Sequence, residues 1–131
     1  MKATIRTGII GGAGYTGGEL IRLLLLHPHV DISYVHSKSN AGNKLYQVHE
    51  DLIGSTDLVF TDKLHQDIDV LFLCLGHGES STFLQENSID EKIRIIDLAN
   101  DFRLAAHANI SNRTFVYGLP ELNREKIKTA S

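Results

Sequence analysis

The segment Gly12-Ala13-Gly14-Tyr15-Thr16-Gly17 is the strongest indication of the fold class, because its glycines have the spacing G-x-G-x-x-G between two regular elements. Before it, Ile5–Gly11 is a short β-branched run that predicts a strand. After it, Tyr15–His27 is rich in leucine and is followed by Pro28, which predicts a helix that ends there. Val30–His36 then alternates apolar and polar residues and predicts a second strand. The glycines therefore lie in the turn of a strand–helix–strand unit.

A glycine turn in this position can bind the pyrophosphate of a dinucleotide. Such binding requires a tight turn, a close approach of the backbone to the phosphates and close packing of helix on strand, and each requirement favours a residue without Cβ. The helix that begins near Tyr15 would also direct free N–H groups and the positive end of its dipole at the phosphates. We therefore predict cofactor contacts from the whole turn: Gly12, Ala13, Gly14, Tyr15, Thr16 and Gly17.

Two other interpretations of this turn are weaker. In one, the glycines serve only to pack the helix closely against the strand, and no ligand is bound. In the other, the turn is a P-loop for a nucleoside triphosphate. The P-loop is disfavoured because Gly18-Glu19 stands where Lys followed by Ser or Thr is required.

The rest of the chain continues the alternation of strands and helices. Further strands are predicted at Leu58–Phe60, Val70–Leu75, Ile93–Leu98 and Thr114–Tyr117. Further helices are predicted at Glu79–Glu86 and at Asn123–Thr129, the latter with Asn123 as N-cap. The polar segment Ser37–Gln47 is predicted to be a loop with room for one helical turn. This order predicts one α/β domain over residues 1–131, of the Rossmann type, with a doubly wound, mostly parallel sheet and helices on both faces.

Composition excludes several classes of protein. The chain has 131 residues, 42% of them apolar, which suits one domain with a core and argues against disorder. The net charge of −3 gives no basic footprint for nucleic acid. No signal peptide is visible, and the apolar runs are too short to span a membrane. A single cysteine suits a reducing cytoplasm, and the seven histidines show no metal-ligand spacing. The oligomeric state is left open, a homo-oligomer included.

The end of the second strand, Val35-His36-Ser37-Lys38-Ser39, indicates that the cofactor is NADP(H). A domain for NAD usually places Asp or Glu about twenty residues after the glycines, where the carboxylate accepts from the ribose hydroxyls. No carboxylate occurs among these five residues, whereas Ser37, Lys38 and Ser39 could donate to a 2′-phosphate. The alternative is that Lys38 is an ordinary solvated loop lysine.

Gly76-His77-Gly78, after the apolar run that ends at Leu75, is the predicted second edge of the cofactor site. Ligands of open α/β sheets bind at the carboxyl ends of strands, and the two glycines would let the backbone approach the cofactor. His77 could contact cofactor or substrate, or only satisfy backbone groups. Asp101 and Arg103 follow another strand, where Arg103 could hold a phosphate or could pair with Asp101 and shape the loop.

Several longer motifs give the chain a resemblance to a known family. They are Gly12-Ala13-Gly14-Tyr15-Thr16-Gly17-Gly18-Glu19-Leu20, Asp69-Val70-Leu71-Phe72-Leu73, His77-Gly78-Glu79-Ser80, Asp97-Leu98, Asp101-Phe102-Arg103-Leu104 and Tyr117-Gly118-Leu119-Pro120-Glu121-Leu122-Asn123-Arg124. Together these segments resemble the N-terminal, NADP-binding domain of the N-acetyl-γ-glutamyl-phosphate reductase family. Gly76 departs from the usual proline of that family, and Ala99-Asn100 replaces a Ser-Ala pair.

The resemblance implies a part in arginine biosynthesis, by NADPH-dependent reduction of N-acetyl-L-glutamyl 5-phosphate to the 5-semialdehyde with release of phosphate. In that family a cysteine thiolate in an Asn-Pro-Gly-Cys turn attacks the acyl phosphate, and a histidine acts as base. Neither group is found in this chain, so we expect residues 1–131 to be the cofactor domain of a longer two-domain enzyme, with no catalytic residue of their own. Cys74 lies inside an apolar run and is predicted to be a buried thiol, not the nucleophile.

Two other functions remain open at this stage. One is a non-catalytic module that senses NAD(P) and regulates a partner, because no nucleophile is present. The other is the cofactor domain of a related aspartate-semialdehyde dehydrogenase, against which the segment Tyr117–Leu122 argues.

Overall fold

Five parallel strands form the main sheet of the computed structural model, which describes residues 3–131. The strands are β1 (Ile5–Ile10), β2 (Val30–His36), β3 (Phe60–Thr61), β4 (Val70–Leu73) and β5 (Arg94–Asp97). Their order in the sheet is β3-β2-β1-β4-β5, so the chain winds outward from β1 on one side and then on the other. Ligands of doubly wound sheets bind at such a reversal, at the carboxyl ends of the strands. In this sheet the reversal lies between β1 and β4.

Helices lie between several of the strands and after the last of them. They are α1 (Tyr15–Leu25), α2 (Leu45–Val48), α3 (Glu79–Glu86) and α4 (Pro120–Thr129), with short 3-10 turns at Glu50–Leu52 and Ala105–His107. The one-turn helix α2 lies where the sequence predicts a loop with room for such a turn. Among residues 3–131, no helix has both the length and the apolar character that a crossing of the membrane would need.

The core lies on both faces of the sheet, because successive residues of a strand point to opposite sides. On one face Ile9 packs in a cluster with Ile21 of α1 and with Leu45 of α2. On the other face Ile10 packs in a cluster with Leu84 of α3. The prediction of a parallel sheet with helices on both faces is confirmed.

Some predicted strand bounds are wrong. The third strand is Phe60–Thr61 instead of Leu58–Phe60, because Val59 forms an antiparallel bridge with Lys44 while Phe60 pairs with β2. The fourth ends at Leu73 instead of Leu75. These shifts leave the order of the elements unchanged.

The predicted strand Thr114–Tyr117 is wrong beyond its first residue. The structure has a small antiparallel pair, β6 (Asn109–Ile110) and β7 (Arg113–Thr114), outside the main sheet. Phe115 then leaves the pair and stacks on Phe102, with ring centroids 4.3 Å apart. The apolar run of this segment therefore covers the α3 side of the core and adds no strand to the sheet.

The last helix begins at Pro120, earlier than the predicted Asn123. Proline is favoured in the first turn of a helix, where its missing N–H costs no hydrogen bond. Asn123 is not the N-cap; it lies inside the helix at a kink, with φ −127° and ψ 19°. Its side-chain amide donates to the carbonyl of Tyr117 at 3.0 Å.

Candidate functional site

The glycine turn is fastened to the end of β2 by its own backbone. The N–H groups of Gly11 and Gly12 both donate to the carbonyl of His36, at 3.2 and 3.1 Å. Gly11 has φ +77°, a conformation that favours glycine, and a Cβ there would lie 2.5 Å from the carbonyl oxygen of Cys74. The turn is thus held between the ends of β2 and β4, at the reversal of the strand order.

The three glycines of the motif have different surroundings. A Cβ on Gly12 would lie 2.1 Å from Cγ1 of Val35, and a Cβ on Gly17 would lie 2.7 Å from Cα of Gly12. A Cβ on Gly14 would meet only the carbonyl oxygen of Gly11, at 3.9 Å, and the backbone of Gly14 is extended, with φ −80° and ψ 175°. Packing explains Gly12 and Gly17, whereas no packing contact within residues 3–131 requires a glycine at Gly14, the second of the motif.

Gly14 is also the N-cap of α1, and the end of this helix is open. No side chain caps it, and its first turn holds no acidic residue. Tyr15 and Thr16 of this turn are exposed. An uncapped helix N-terminus concentrates free N–H groups and partial positive charge, which is the arrangement that binds phosphate groups.

The side chain of His49 contacts the backbone of the glycine turn, and this contact was not predicted from the sequence. Its Nε2–H donates to the carbonyl of Gly12 at 2.6 Å. It follows α2 and lies beyond Ser37–Gln47, the segment that the sequence predicts to be a loop. The contact joins residues 37 positions apart, so no local pattern could have indicated it.

A cleft of about 660 Å³ opens beside the glycine turn, between the end of β2 and α3. Its lining brings together Gly11 with the predicted residues Ser37, Lys38 and Ser39. The hydroxyl oxygens of Ser37 and Ser39 accept from the side-chain amide of Asn40 at 3.4 and 3.2 Å. The hydroxyl hydrogens of both serines therefore remain available as donors.

Four titratable groups of the cleft were not predicted from the sequence, namely His36, Asp62, Glu79 and Glu86. Asp62, just after β3, brings a carboxylate to the cleft from a neighbouring strand. His36 also lines it, and burial lowers the pKa of its imidazole, so the ring is neutral at pH 7. The end of β2 itself, residues 35–39, carries no carboxylate, as the sequence indicates.

The loop Gly76-His77-Gly78 directly precedes α3 and does not line the cleft. Its neighbours Leu75 and Glu79 do line it. The N–H of Gly76 donates to the carboxylate of Glu79 at 2.7 Å. The N–H of Asn100 donates to Nδ1 of His77 at 3.2 Å. The loop's polar groups are thus engaged in shaping the loop, and its contact with a cofactor stays a prediction.

Asp101 caps α3 and does not pair with Arg103. Its carboxylate accepts from the N–H of Gly78 at 2.6 Å and from the N–H of Ser81 at 2.8 Å. Arg103 instead lies over the ring of Tyr117, 5.7 Å from the centroid. The Asp101–Arg103 ion pair that the sequence left open is therefore wrong, because the partner of Asp101 is the N-terminus of α3.

Comparison with known proteins fits this geometry. Residues 6–130 match the family described as "Semialdehyde dehydrogenase, NAD binding domain". The chain belongs to this family. A crystal structure of aspartate semialdehyde dehydrogenase with NADP from Candida albicans shares the fold, with a TM-score of 0.64 and 21% identity over 77% of this chain and 31% of that one.

Several curated relatives of this NAD-binding domain share a name. The chain is 55% identical over 127 residues to N-acetyl-gamma-glutamyl-phosphate reductase of Christiangramia forsetii, covering 97% of the chain and 38% of the relative. It is 56% identical to the protein of that name from Phocaeicola vulgatus, covering 94% and 37%. The resemblance seen in the sequence motifs is confirmed. The chain spans less than two-fifths of the length of these relatives.

Cys74 of this NAD-binding domain lies just after β4 and is half-buried, not buried within the strand as the sequence predicts. It packs against the core cluster that contains Ile9 and Ile21. Burial, and then the negative charge of Asp97, raise the pKa of its thiol to about 11. Asp97 is itself held by Ser80, whose hydroxyl donates to its carboxylate at 2.6 Å. Among the described residues, no group of three or more His, Cys, Asp or Glu side chains could hold a metal ion.

We expect the Cys74 thiol to react slowly with Ellman's reagent in the folded chain. At pH 8 a thiol with a pKa near 11 is almost wholly protonated, whereas an ordinary one, with a pKa near 8.5, is about one-quarter thiolate. The rate should therefore be on the order of a hundredfold lower than for the chain unfolded in urea. Because the chain has one cysteine, the signal has one source. Equal rates in the two states would show that the thiol is free to act as a nucleophile.

Proposed function

We propose that this chain is the NADP(H)-binding domain of an N-acetyl-γ-glutamyl-phosphate reductase. The observation that carries the proposal is Gly14: it stands at the open N-terminus of α1, and a Cβ there would enter free space. Gly11 of the same turn lines the cleft. Identity above 50% over nearly the whole chain to proteins of that name supports the choice of enzyme. Residues 1–131 would then be one domain of a longer protein that also holds the substrate-binding and catalytic groups.

The described residues fit a nicotinamide dinucleotide. Gly12, Ala13 and Gly14 with the first turn of α1 would hold the pyrophosphate, and Tyr15, Thr16 and Gly17 supply that turn. The cleft lined by Ser37, Lys38 and Ser39 would hold the adenosine end, and the loop 76–78 would border the other end. When bound, the cofactor supplies a hydride for reduction of an acyl group. The chain's own part is to bind and orient it.

The remaining chemistry would belong to the rest of the longer protein. The small-molecule substrate would be the acyl phosphate N-acetyl-L-glutamyl 5-phosphate, and the setting would be the cytoplasm, with a homo-oligomer compatible with the sequence. We further propose that this chain alone reduces no acyl phosphate. Attack on an acyl phosphate needs an accessible thiolate beside the substrate, and the Cys74 thiol is half-buried with a raised pKa.

We expect the chain to bind NADPH about tenfold to a hundredfold more tightly than NADH. A hydrogen bond to a charged group contributes about 1.5–3 kcal/mol, and Lys38 lines the cleft where a 2′-phosphate would lie. Isothermal calorimetry with both cofactors measures the difference. Lys38→Ala should weaken NADPH binding about tenfold and leave NADH binding unchanged.

Lys63→Ala is the matched control, because Lys63 is also an exposed lysine near the end of β3 but does not line the cleft. Equal affinities for the two cofactors in the parent chain would contradict the choice of NADP. Equal losses for both cofactors in Lys38→Ala would show that Lys38 contacts a group the two cofactors share.

A further inference from the structure

His49 lies against the glycine turn, where its side chain can fix the orientation of a backbone peptide group. Its Nε2–H donates to the carbonyl of Gly12 at 2.6 Å, and its Nδ1 lies 2.6 Å from where a Cβ on Gly18 would stand. The ring also lies against Phe60, at a centroid distance of 6.3 Å. The absence of a side chain at Gly18 thus makes room for the histidine between α1 and the turn.

The segment that carries His49 is anchored on both sides. Leu45 and Leu52 flank it, and both are fully buried in the core cluster on the α1 side. The N–H of His49 donates to the carbonyl of Leu45 at 2.8 Å, and its carbonyl accepts from the N–H of Leu52 at 3.0 Å. The imidazole is therefore presented to the turn from a fixed backbone.

The hydrogen bond to Gly12 fixes the orientation of one peptide group of the turn. The peptide between Gly12 and Ala13 is trans, as are all peptides among residues 3–131. The carbonyl and the N–H of a trans peptide point in opposite directions. With the carbonyl of Gly12 held toward His49, the N–H of Ala13 must point to the side of the turn away from His49.

We propose that His49 is a positioning residue for cofactor binding: its Nε2–H holds the Gly12 carbonyl and so aims the Ala13 N–H at the pyrophosphate. The inference rests on the proposed function, because it assigns a second layer of residues to the same dinucleotide site. It requires that the imidazole carry a proton on Nε2, since the carbonyl can only accept.

Two variants of the 131-residue chain test the proposal. His49→Leu keeps a side chain of similar size but removes the donor, and it should raise the Kd for NADPH about fivefold to tenfold while the chain stays folded. His49→Gln places an amide donor near the position of Nε2 and should restore most of the affinity. His27→Leu, near the opposite end of α1, is the control and should bind like the parent chain. Calorimetry gives the Kd, and circular dichroism gives the folded fraction.

A measurement on the unmodified chain guards against a variant that fails to fold. Nitrogen-15 NMR of the histidine rings should show His49 with its proton on Nε2, and the Nδ1–H tautomer would overturn the proposal. Unchanged NADPH affinity in a folded His49→Leu chain would overturn it too, as would failure of the glutamine variant to bind better than the leucine variant. If the unmodified chain binds neither NADPH nor NADH, the proposed function itself is wrong.

Discussion

Gly14→Val should fold normally and lose detectable binding of NADPH. The added side chain enters space that no protein atom fills, because an ideal Cβ there meets only the carbonyl oxygen of Gly11 at 3.9 Å. The backbone has φ −80° and ψ 175°, which valine adopts without strain. The second glycine of a G-x-G-x-x-G turn lets the backbone approach the pyrophosphate, so the isopropyl group would take the position of the phosphates.

The stability cost of Gly14→Val should be small. Valine is a poorer N-cap than glycine, which costs on the order of 1 kcal/mol of unfolding free energy. Calorimetry with NADPH and urea unfolding monitored by circular dichroism separate the two effects. Gly118→Val is the matched control, because a Cβ at Gly118 likewise enters open space and meets nothing within 4 Å, and this variant should bind NADPH normally. A folded Gly14→Val chain that binds NADPH like the parent would show that the turn does not hold the pyrophosphate.

Gly17→Ala should destabilise the fold itself. A Cβ at Gly17 would lie 2.7 Å from Cα of Gly12 and 2.8 Å from the carbonyl oxygen of Gly11, and both are backbone atoms that cannot rotate away. In an open helix the same change would stabilise by about 1 kcal/mol, because alanine is the better helix former. Here α1 must move away from the turn, and such overpacking costs about 1–3 kcal/mol or more. The steric term therefore outweighs the helix propensity.

Urea unfolding checks this second prediction. The midpoint for Gly17→Ala should fall clearly below that of the parent chain, with Gly118→Ala as a control that stays within about 0.5 kcal/mol. The fraction that stays folded should also bind NADPH more weakly, because the N-terminus of α1 would be displaced from the glycine turn. An unchanged or raised midpoint would mean that α1 does not pack against the turn as described.

The fold could be predicted from local patterns because a doubly wound sheet is built from repeated local units. The strand ending in Gly11, the leucine-rich helix and the alternating second strand each carry their own signal. The prediction failed near the end of the chain, where Phe115, Val116 and Tyr117 have the residue types of a strand. Phe115 instead stacks on Phe102, a contact that depends on tertiary packing and not on periodicity.

The site was predicted only in part, for a related reason. The motif identifies Gly12, Gly14 and Gly17 together. Only the three-dimensional structure shows that Gly14 faces free space, whereas packing requires the other two glycines. His49 and Asp62 reach the site from other segments, and no spacing within the sequence connects them to it.

The capping of α3 by Asp101 has a consequence for how a dinucleotide would be placed. Two helices, α1 and α3, begin at the carboxyl edge of the sheet, but the carboxylate of Asp101 already neutralises the positive end of α3. Of these two helices, α1 alone offers an uncancelled dipole to a diphosphate. The bound dinucleotide would therefore be held at its central diphosphate by the N-terminus of α1. Whether the adenosine end or the nicotinamide end lies toward β2 would then depend on weaker contacts, such as the one we propose for Lys38. The same side chain would therefore set both the direction of binding and the preference for NADPH over NADH.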